Sequence, residues 1–355
     1  MNTLAESIFA QARTQWLEDV TSVFNTGSDL FTELPVKHRF YRMPYFTSRK
    51  YFTVDNGQPK LMQGITGITK KIISSRNQDA FLKEWQFDML KDGKDPDEYA
   101  ERASQFGTLI HIVAANIFAA RQKGESFSTH QIDRELLKYM SDIGISNMYF
   151  KEWYRNLCAA IRSLNNFYSK SEMKVLSIEH CVADFDNNIC TPIDIICEMN
   201  YIESVDVPMK TKEGTKKEKQ VKRGLWALNI KARQNPDRRS TDMYQLCAEQ
   251  YIANGYLDIL IPKTGVLSPS WTWRDKENAD CKLHDFTGTF SEKDWQSYLK
   301  QFRNEPGGIN NSMFNPDLSQ RIGDSNVFTV ANTGNILDMP DETIEGFILR
   351  HFKVD

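Results

Sequence analysis

The fold is decided by two apolar runs, ICTPIDIICE at 189–198 and GLWALNIK at 224–231. Both runs favour strands by residue type, and their length suits the strands of a buried sheet. Side chains alternate between the faces of a strand, so Asp194 shares a face with Ile196 and has apolar neighbours on both faces. A carboxylate there is costly unless it binds a metal ion or a partner group. Backbone donors or an arginine are the simpler partners, and a metal ion is the alternative.

The run at 224–231 ends in two polar residues two positions apart, Asn229 and Lys231. The same alternation places their side chains on one face. Metal-dependent hydrolysis uses such a pair, because an oxygen ligand holds the divalent ion while an ammonium group orients the attacking water or neutralises developing charge. The pair alone is too short to identify a function.

The flanking sequence predicts an α/β protein in which helices flank a central mixed sheet of about four or five strands. We divide the chain into an N-terminal region at 1–63, a core at 64–303, and an irregular loop with a final helix at 304–355. The core has a helical part at 64–173 and a sheet at 174–303, with a basic insertion at 203–223. The stretch at 77–170 is expected to be helical almost throughout, most clearly at 147–170. Further expected elements are helices at 2–24, 240–256, 291–303 and 340–352, strands at 174–184, 189–200, 224–232, 257–261 and 281–287, and a hairpin at 51–62.

Composition and charge describe an ordinary globular chain of 355 residues, 40% of them hydrophobic. The net charge of −3 gives no overall attraction to nucleic acid, so a polyanionic partner must meet a local basic surface. The six cysteines form no C-x-x-C pair, which fits a reducing cytoplasm. The sequence shows no export signal and no clear membrane-spanning run, so we expect a cytoplasmic protein that does not bind membranes.

An ordered set of motifs resembles the RecB-like PD-(D/E)xK nucleases, a superfamily with exonucleases of recombination complexes, CRISPR-associated nucleases and many phage proteins. The likeness extends over roughly 50–300, and Gly64-Ile65-Thr66 looks like the S-V-T opening of a family helix. The set consists of GTLIH at 107–111, Glu179, PID at 192–194, NIK at 229–231 and Gln245.

The resemblance implies a restriction-endonuclease-like core that binds one or two Mg²⁺ or Mn²⁺ ions. His111, Asp194 and Asn229 would be metal ligands. Independently of the likeness, the helix face around His111 carries the small residues Gly107, Ala114 and Ala115, which would let another element approach closely. Further roles follow from the same likeness: Lys231 as the catalytic lysine, Gln245 as its neighbour in the site, the Ile230 main-chain carbonyl as a ligand, and Glu179 as a ligand through water.

The iron–sulfur variant of this family needs a quartet of cysteines after the glutamine helix. Only Cys281 lies beyond Cys247, so we expect no iron–sulfur cluster.

The sequence departs from the family pattern at two places. Asn229 stands where an Asp or Glu is expected; its amide oxygen can coordinate a cation, but one negative charge is lost, so metal affinity and rate should both fall. The asparagine is either an engineered change that traps an inactive complex or a naturally weakened or dead site. The family's Gln-x-x-x-Tyr becomes Gln245-x-x-x-Glu249, with the nearest tyrosine at Tyr251.

Two basic stretches are candidates for contact with nucleic acid. One is the insertion, which is either a solvated hairpin tip or a grip on the phosphate backbone. The other lies at 37–52, where aromatic rings between basic residues offer stacking to single-stranded bases. The predicted contacts are Lys216, Lys217, Lys219, Lys222, Arg223, Arg233, Tyr251, Arg42 and Tyr45.

The sequence therefore predicts a metal-dependent deoxyribonuclease that acts on DNA ends or single strands in phage or mobile-element replication, recombination or repair, with protein partners in such a complex. The alternative is a non-catalytic nucleic-acid-binding or assembly protein that retains the nuclease fold. An unrelated α/β protein would place His111 and Asp194 more than about 8 Å apart, too far to share one metal ion.

Overall fold

The structure is a computed structural model in which 34–35, 37–38, 40–43, 50–55, 58–74, 79–125, 136–137, 140, 146–208, 215–232, 240–270, 281–289 and 291–304 are described. These residues form an α/β fold with helices on a mixed sheet. Eight strands are found in the described part: β1 Tyr41–Met43, β2 Lys50–Asp55, β3 Gln58–Gly64, β4 Lys174–Asp184, β5 Ile189–Pro208, β6 Thr215–Ile230, β7 Lys263–Ser268 and β8 Lys282–Asp285.

The sheet has the order β1-β2-β3-β5-β6-β7-β8, and β4 pairs with the other edge of β5. The β3–β5 and β6–β7 pairs are parallel, and the remaining pairs are antiparallel. The hairpin predicted at 51–62 is confirmed, since Asp55 pairs with Gln58. Because β3 pairs with β5, this hairpin joins the same sheet as the core strands.

Strand β5 is the centre of the sheet and has a fork on one edge. Its residues Ile189 and Cys190 pair with β3, whereas its residues from Ile195 onward pair with β6. Strand β4 occupies the opposite edge along 189–198, so β3 and β6 must use the same edge at different ends. Asp194 therefore lies where β6 separates from β5.

The helices are α1 Ile65–Ser74, α2 Asp79–Lys91, α3 Pro96–Gln122, α4 Phe150–Lys170, α5 Ser240–Leu257 and α6 Glu292–Asn304, with a 3₁₀ turn at Asn147–Tyr149. Helices α3 and α4 pack on one face of the sheet, around buried residues such as Trp226 and Leu228. Helices α1, α5 and α6 cover the other face, where Ala248 of α5 and Ala227 of β6 share a core. Because the side chains of these two alanines are small, α5 can lie close to the sheet.

Helix α3 begins at an Asp95 cap, whose side chain accepts hydrogen bonds from the N–H groups of Asp97 and Glu98. It is the one described helix that is long and apolar enough to cross a membrane by length and composition. More than half of its apolar window is buried inside the protein. Its apolar residues are accounted for by packing on α4 and the sheet, which is how a core helix passes the same test.

The predicted strand number is too low, because the hairpin strands join the core strands in one sheet of eight, and two predicted boundaries are also wrong. The strand expected at 257–261 lies at Lys263–Ser268, because α5 continues to Leu257 and a turn follows. The predicted insertion at 203–223 is mostly strand, since β5 continues to Pro208 and β6 begins at Thr215. The predicted helix at 2–24, the loop after 304 and the helix at 340–352 lie outside the described residues.

Candidate metal centre

Three side chains with metal-binding atoms meet at the fork: His111 from α3, Glu179 from β4 and Asp194 from β5. One ligand atom from each lies within 4.8 Å of the others. Nδ1 of His111 is 3.5 Å from Oε1 of Glu179 and 3.6 Å from Oδ2 of Asp194. This spacing is well inside the separation of about 8 Å that would have excluded a shared ion.

Glu179 reaches this cluster through an unusual backbone conformation. Its φ angle is +48°, although it lies inside strand β4. A non-glycine residue in this left-handed region is strained, and such strain is concentrated at functional sites. The backbone of β4 is thus bent where the Glu179 carboxylate meets His111.

Asp194 is buried and accepts a hydrogen bond at 2.6 Å from the N–H of Ile230 to its Oδ2. The backbone donor proposed as its simpler partner is therefore present, and His111 is present as well. Burial raises the pKa of Asp194; the charge of His111 lowers it and that of Glu179 raises it, and the net change is upward. A bound cation would favour the ionised carboxylate and so offset the cost of burying its charge. The structure gives Ile230 a contact to Asp194 through its N–H, and the predicted ligation through its carbonyl stays a prediction.

His111 has 27% of its side chain exposed, so the cluster opens to solvent on the α3 side. Burial lowers the pKa of His111, but the charges of Asp194 and Glu179 outweigh it and raise the pKa. The residue one turn earlier, Gly107, was expected to admit a packing element. At Gly107 that expectation is wrong, because a Cβ there would meet nothing within 4 Å, whereas Ala114 and Ala115 of the same helix are buried in the core. The space beside it is open.

The second predicted ligand, Asn229, faces helix α5. Its Nδ2 lies 3.4 Å from both carboxylate oxygens of Glu249. Oε1 of Glu249 also accepts a hydrogen bond at 2.6 Å from Nε2 of Gln245, and Oε1 of Gln245 lies 3.4 Å from Nζ of Lys231. Gln245 therefore lies in the site as expected, between Lys231 and Glu249.

Glu249 is the site residue that sequence reasoning missed. It is 1% exposed, and its pKa is raised to about 8 by burial and by the charge of Asp194, against smaller opposing effects. The available signal was its position four residues after Gln245, which places both side chains on one face of a helix. The sequence alone did not show that this face is directed at Asn229.

The basic residues predicted to contact nucleic acid differ in their environment. Lys217, Lys219 and Arg223 are exposed on β6. Lys222 is buried, and its Nζ lies 3.2 Å from Oε2 of Glu203 and 3.8 Å from Oδ2 of Asp285. Its charge is neutralised inside the sheet, which contradicts the predicted role in gripping phosphate.

Of the remaining predicted contacts, the structure describes the side chain of Tyr251 alone. Tyr251 lies on another face of α5 from Gln245, and its hydroxyl accepts a hydrogen bond from Nε2 of Gln296. Tyr45 and Arg233 lie outside the described residues, and the side chains of Arg42 and Lys216 are also outside them.

Comparison with known proteins adds no assignment. No protein-family model matches the sequence, and no curated protein matches it significantly. The site's chemistry is therefore argued from its own residues.

Proposed function

We propose that this chain is a metal-dependent deoxyribonuclease of the RecB-like PD-(D/E)xK type. The observation that carries the proposal is the meeting of His111, Glu179 and Asp194 within 4.8 Å at the fork between β5 and β6. The two carboxylates suit Mg²⁺ or Mn²⁺, and a histidine beside them is what the resemblance to this family implies. Glu179 and Asp194 come from the adjacent antiparallel strands β4 and β5, whereas His111 is brought to them from helix α3, a separate part of the sequence.

His111 and Asp194 would hold the ion directly, with Glu179 contacting it through water. Asp194 is fixed for this role by the N–H of Ile230, which contacts only one of its two carboxylate oxygens. When bound, the ion polarises the phosphodiester and lowers the pKa of water.

Lys231 supplies the positive charge beside the ligands. It is half-buried and two residues beyond Asn229, and its ammonium lies 3.4 Å from Oε1 of Gln245. Gln245 thereby orients the ammonium, which would neutralise charge developing on the phosphate. We expect Lys231→Met to reduce cleavage by about 10²-fold or more without unfolding the protein, because such electrostatic groups contribute a few kcal/mol.

We place the substrate, DNA ends or single strands, along the exposed basic residues of β6, and the protein in the cytoplasm. Phage or mobile-element replication, recombination or repair, with protein partners, is the setting that the motif resemblance implies. The rival proposal is a non-catalytic nucleic-acid-binding or assembly protein of the same fold. The neutral Asn229 is the observation that favours this rival.

Cleavage of end-labelled single-stranded and duplex DNA with Mn²⁺ separates the two proposals. The chain as given and Asn229→Asp are compared, with Lys231→Met as the low-activity control. Cutting by the chain as given supports the nuclease, and cutting by Asn229→Asp alone shows that Asn229 disables it. Binding without cutting by both chains excludes the enzyme and supports the rival.

A further inference from the structure

The two departures from the family pattern meet in space. Asn229 lacks the carboxylate expected on β6, and Glu249 adds a carboxylate on α5 where the pattern has tyrosine. Nδ2 of Asn229 lies 3.4 Å from Oε1 and Oε2 of Glu249. One negative charge is therefore missing at position 229, and one is present directly opposite it.

Burial of Glu249 requires an explanation. The residue is 1% exposed, and a carboxylate in the interior is costly without a cation beside it. Among the described residues it has no salt bridge, because its polar contacts are the amides of Gln245 and Asn229. The nearest ammonium, that of Lys231, contacts Gln245 instead.

A second observation also indicates a ligand at this place. Asn229 is 1% exposed, and no described residue donates a hydrogen bond to its Oδ1. A buried carbonyl oxygen without a donor is rare, and it is costly unless another group binds it. A cation would bind this oxygen and the Glu249 carboxylate together, since divalent ions take amide and carboxylate oxygens.

We propose that Glu249 supplies the second carboxylate of the metal centre, from helix α5, and that Asn229 contributes its amide oxygen beside it. This inference rests on the proposed metal centre and assigns it a ligand that the motif pattern places elsewhere. The ligand set then spans both helical layers, with His111 from α3 and Glu249 from α5. The centre keeps its full number of carboxylates despite Asn229.

The competing explanation is structural: a protonated Glu249 that only hydrogen bonds to Gln245 and Asn229. The variant Glu249→Gln distinguishes the two, because glutamine has the same size and retains hydrogen bonding but cannot ionise. Glu292→Gln is the matched control, since Glu292 is exposed on α6.

The test is Mn²⁺ binding to the full chain, measured by isothermal titration calorimetry. We expect Glu249→Gln to weaken binding roughly tenfold or more, because affinity for a hard cation follows ligand charge. Glu292→Gln should bind as the chain as given does. The double variant Asn229→Asp/Glu249→Gln, which moves the carboxylate to β6, should recover most of the loss.

Asp194→Asn separates failure of this inference from failure of the proposed function. Loss of Mn²⁺ binding in Asp194→Asn together with unchanged binding in Glu249→Gln overturns the role of Glu249 alone. Unchanged binding in both variants overturns the metal centre as well. Weakened binding in both variants supports Glu249 as a ligand even where no DNA is cut.

A crystal structure of the full chain soaked in Mn²⁺ gives a result that does not depend on any variant. An anomalous peak about 2.0–2.6 Å from a Glu249 carboxylate oxygen supports the assignment. A peak at His111 and Asp194 with no Glu249 oxygen within about 4 Å overturns it, because that distance exceeds a ligand bond.

Discussion

The inner and outer halves of the β5–β6 hairpin have opposite surroundings. The inner half, at 189–199 and 226–230, lies between helices on both faces and is almost entirely buried. The outer half, at 200–208 and 215–225, pairs without a register shift to Pro208 and Thr215. Its apolar pair Ile202 and Val221 is exposed, at 55% and 60%.

The difference shows that one hairpin combines a desolvated centre with a solvated basic surface. By strand alternation and the register of β5 and β6, Lys217, Lys219 and Arg223 belong to the sheet face of Asp194 and Asn229. Electrostatic effects are large at the buried end and small at the exposed end, because water screens exposed charges. Changes in the two halves should therefore differ in size and in kind.

The largest effect is expected from Asp194→Asn, at the centre of the inner half. Cleavage with Mn²⁺ should fall by about 10³-fold or more, since the loss of a metal-binding charge removes several kcal/mol of transition-state stabilisation. The asparagine oxygen can still accept the N–H of Ile230, so thermal unfolding followed by circular dichroism should show a folded protein. Asp206→Asn, in the outer half of the same strand, is the control and should keep the rate of the chain as given. Equal cleavage rates for Asp194→Asn and Asp206→Asn would contradict the expected difference between the inner and outer halves.

The next largest effect is expected in the pH dependence of folding stability. It comes from His180 of β4, which pairs with Ile193 of the inner half. Burial lowers the pKa of His180 from 6.5 to about 4, and its Nδ1 lies 2.8 Å from Oγ of Ser177. Between these two values the unfolded chain binds a proton that the folded chain does not, so stability falls as pH falls.

Urea unfolding at pH 6.5 and at pH 4 measures this contribution of His180 to the free energy of unfolding. From pH 6.5 to pH 4 the chain as given should lose roughly 3 kcal/mol more than His180→Asn, which cannot titrate. His38→Asn, outside the hairpin, serves as the control. Parallel pH curves for the chain as given and His180→Asn would show that His180 is protonated equally in both states.

A smaller effect is expected in the outer half, from the double change Lys217→Gln/Lys219→Gln. Binding of single-stranded DNA should weaken several-fold, and the slope of log affinity against log salt should fall by about 0.7 for each lost phosphate contact. Fluorescence anisotropy over a salt series measures both quantities. Lys293→Gln/Lys300→Gln on α6 removes the same charge and should leave the slope unchanged. If both double variants behave alike, β6 is not the DNA surface.

The smallest effect is expected from Ile202→Thr/Val221→Thr. The two residues pair directly, but both are already exposed, so little apolar surface is lost from the core. The cost in unfolding free energy should be below about 1 kcal/mol, the value of a cross-strand pair. Ile195→Thr in the inner half, where the side chain is fully buried, should cost more by urea unfolding. Comparable losses of unfolding free energy in the double variant and in Ile195→Thr would mean that another surface covers the outer half in solution.

Local pattern was sufficient for much of the fold. Strand β4 was predicted at its observed bounds, and the helices predicted at 240–256 and 291–303 lie within one residue of α5 and α6. The strand at 257–261 was misplaced because its apolar residues equally suit a helix end and a turn. The outer half of the hairpin was taken for an insertion because its alternating charged residues have no buried face.

The sequence by itself determined which polar residues share a face of the sheet, because period-two alternation fixes the face of Asp194 and the shared face of Asn229 and Lys231. Only the tertiary structure decided which groups oppose that face. It placed Glu249 against Asn229, and it enclosed Lys222 between Glu203 and Asp285. The reason is physical: periodicity is set by the backbone of one element, whereas pairing across layers depends on how separate elements pack.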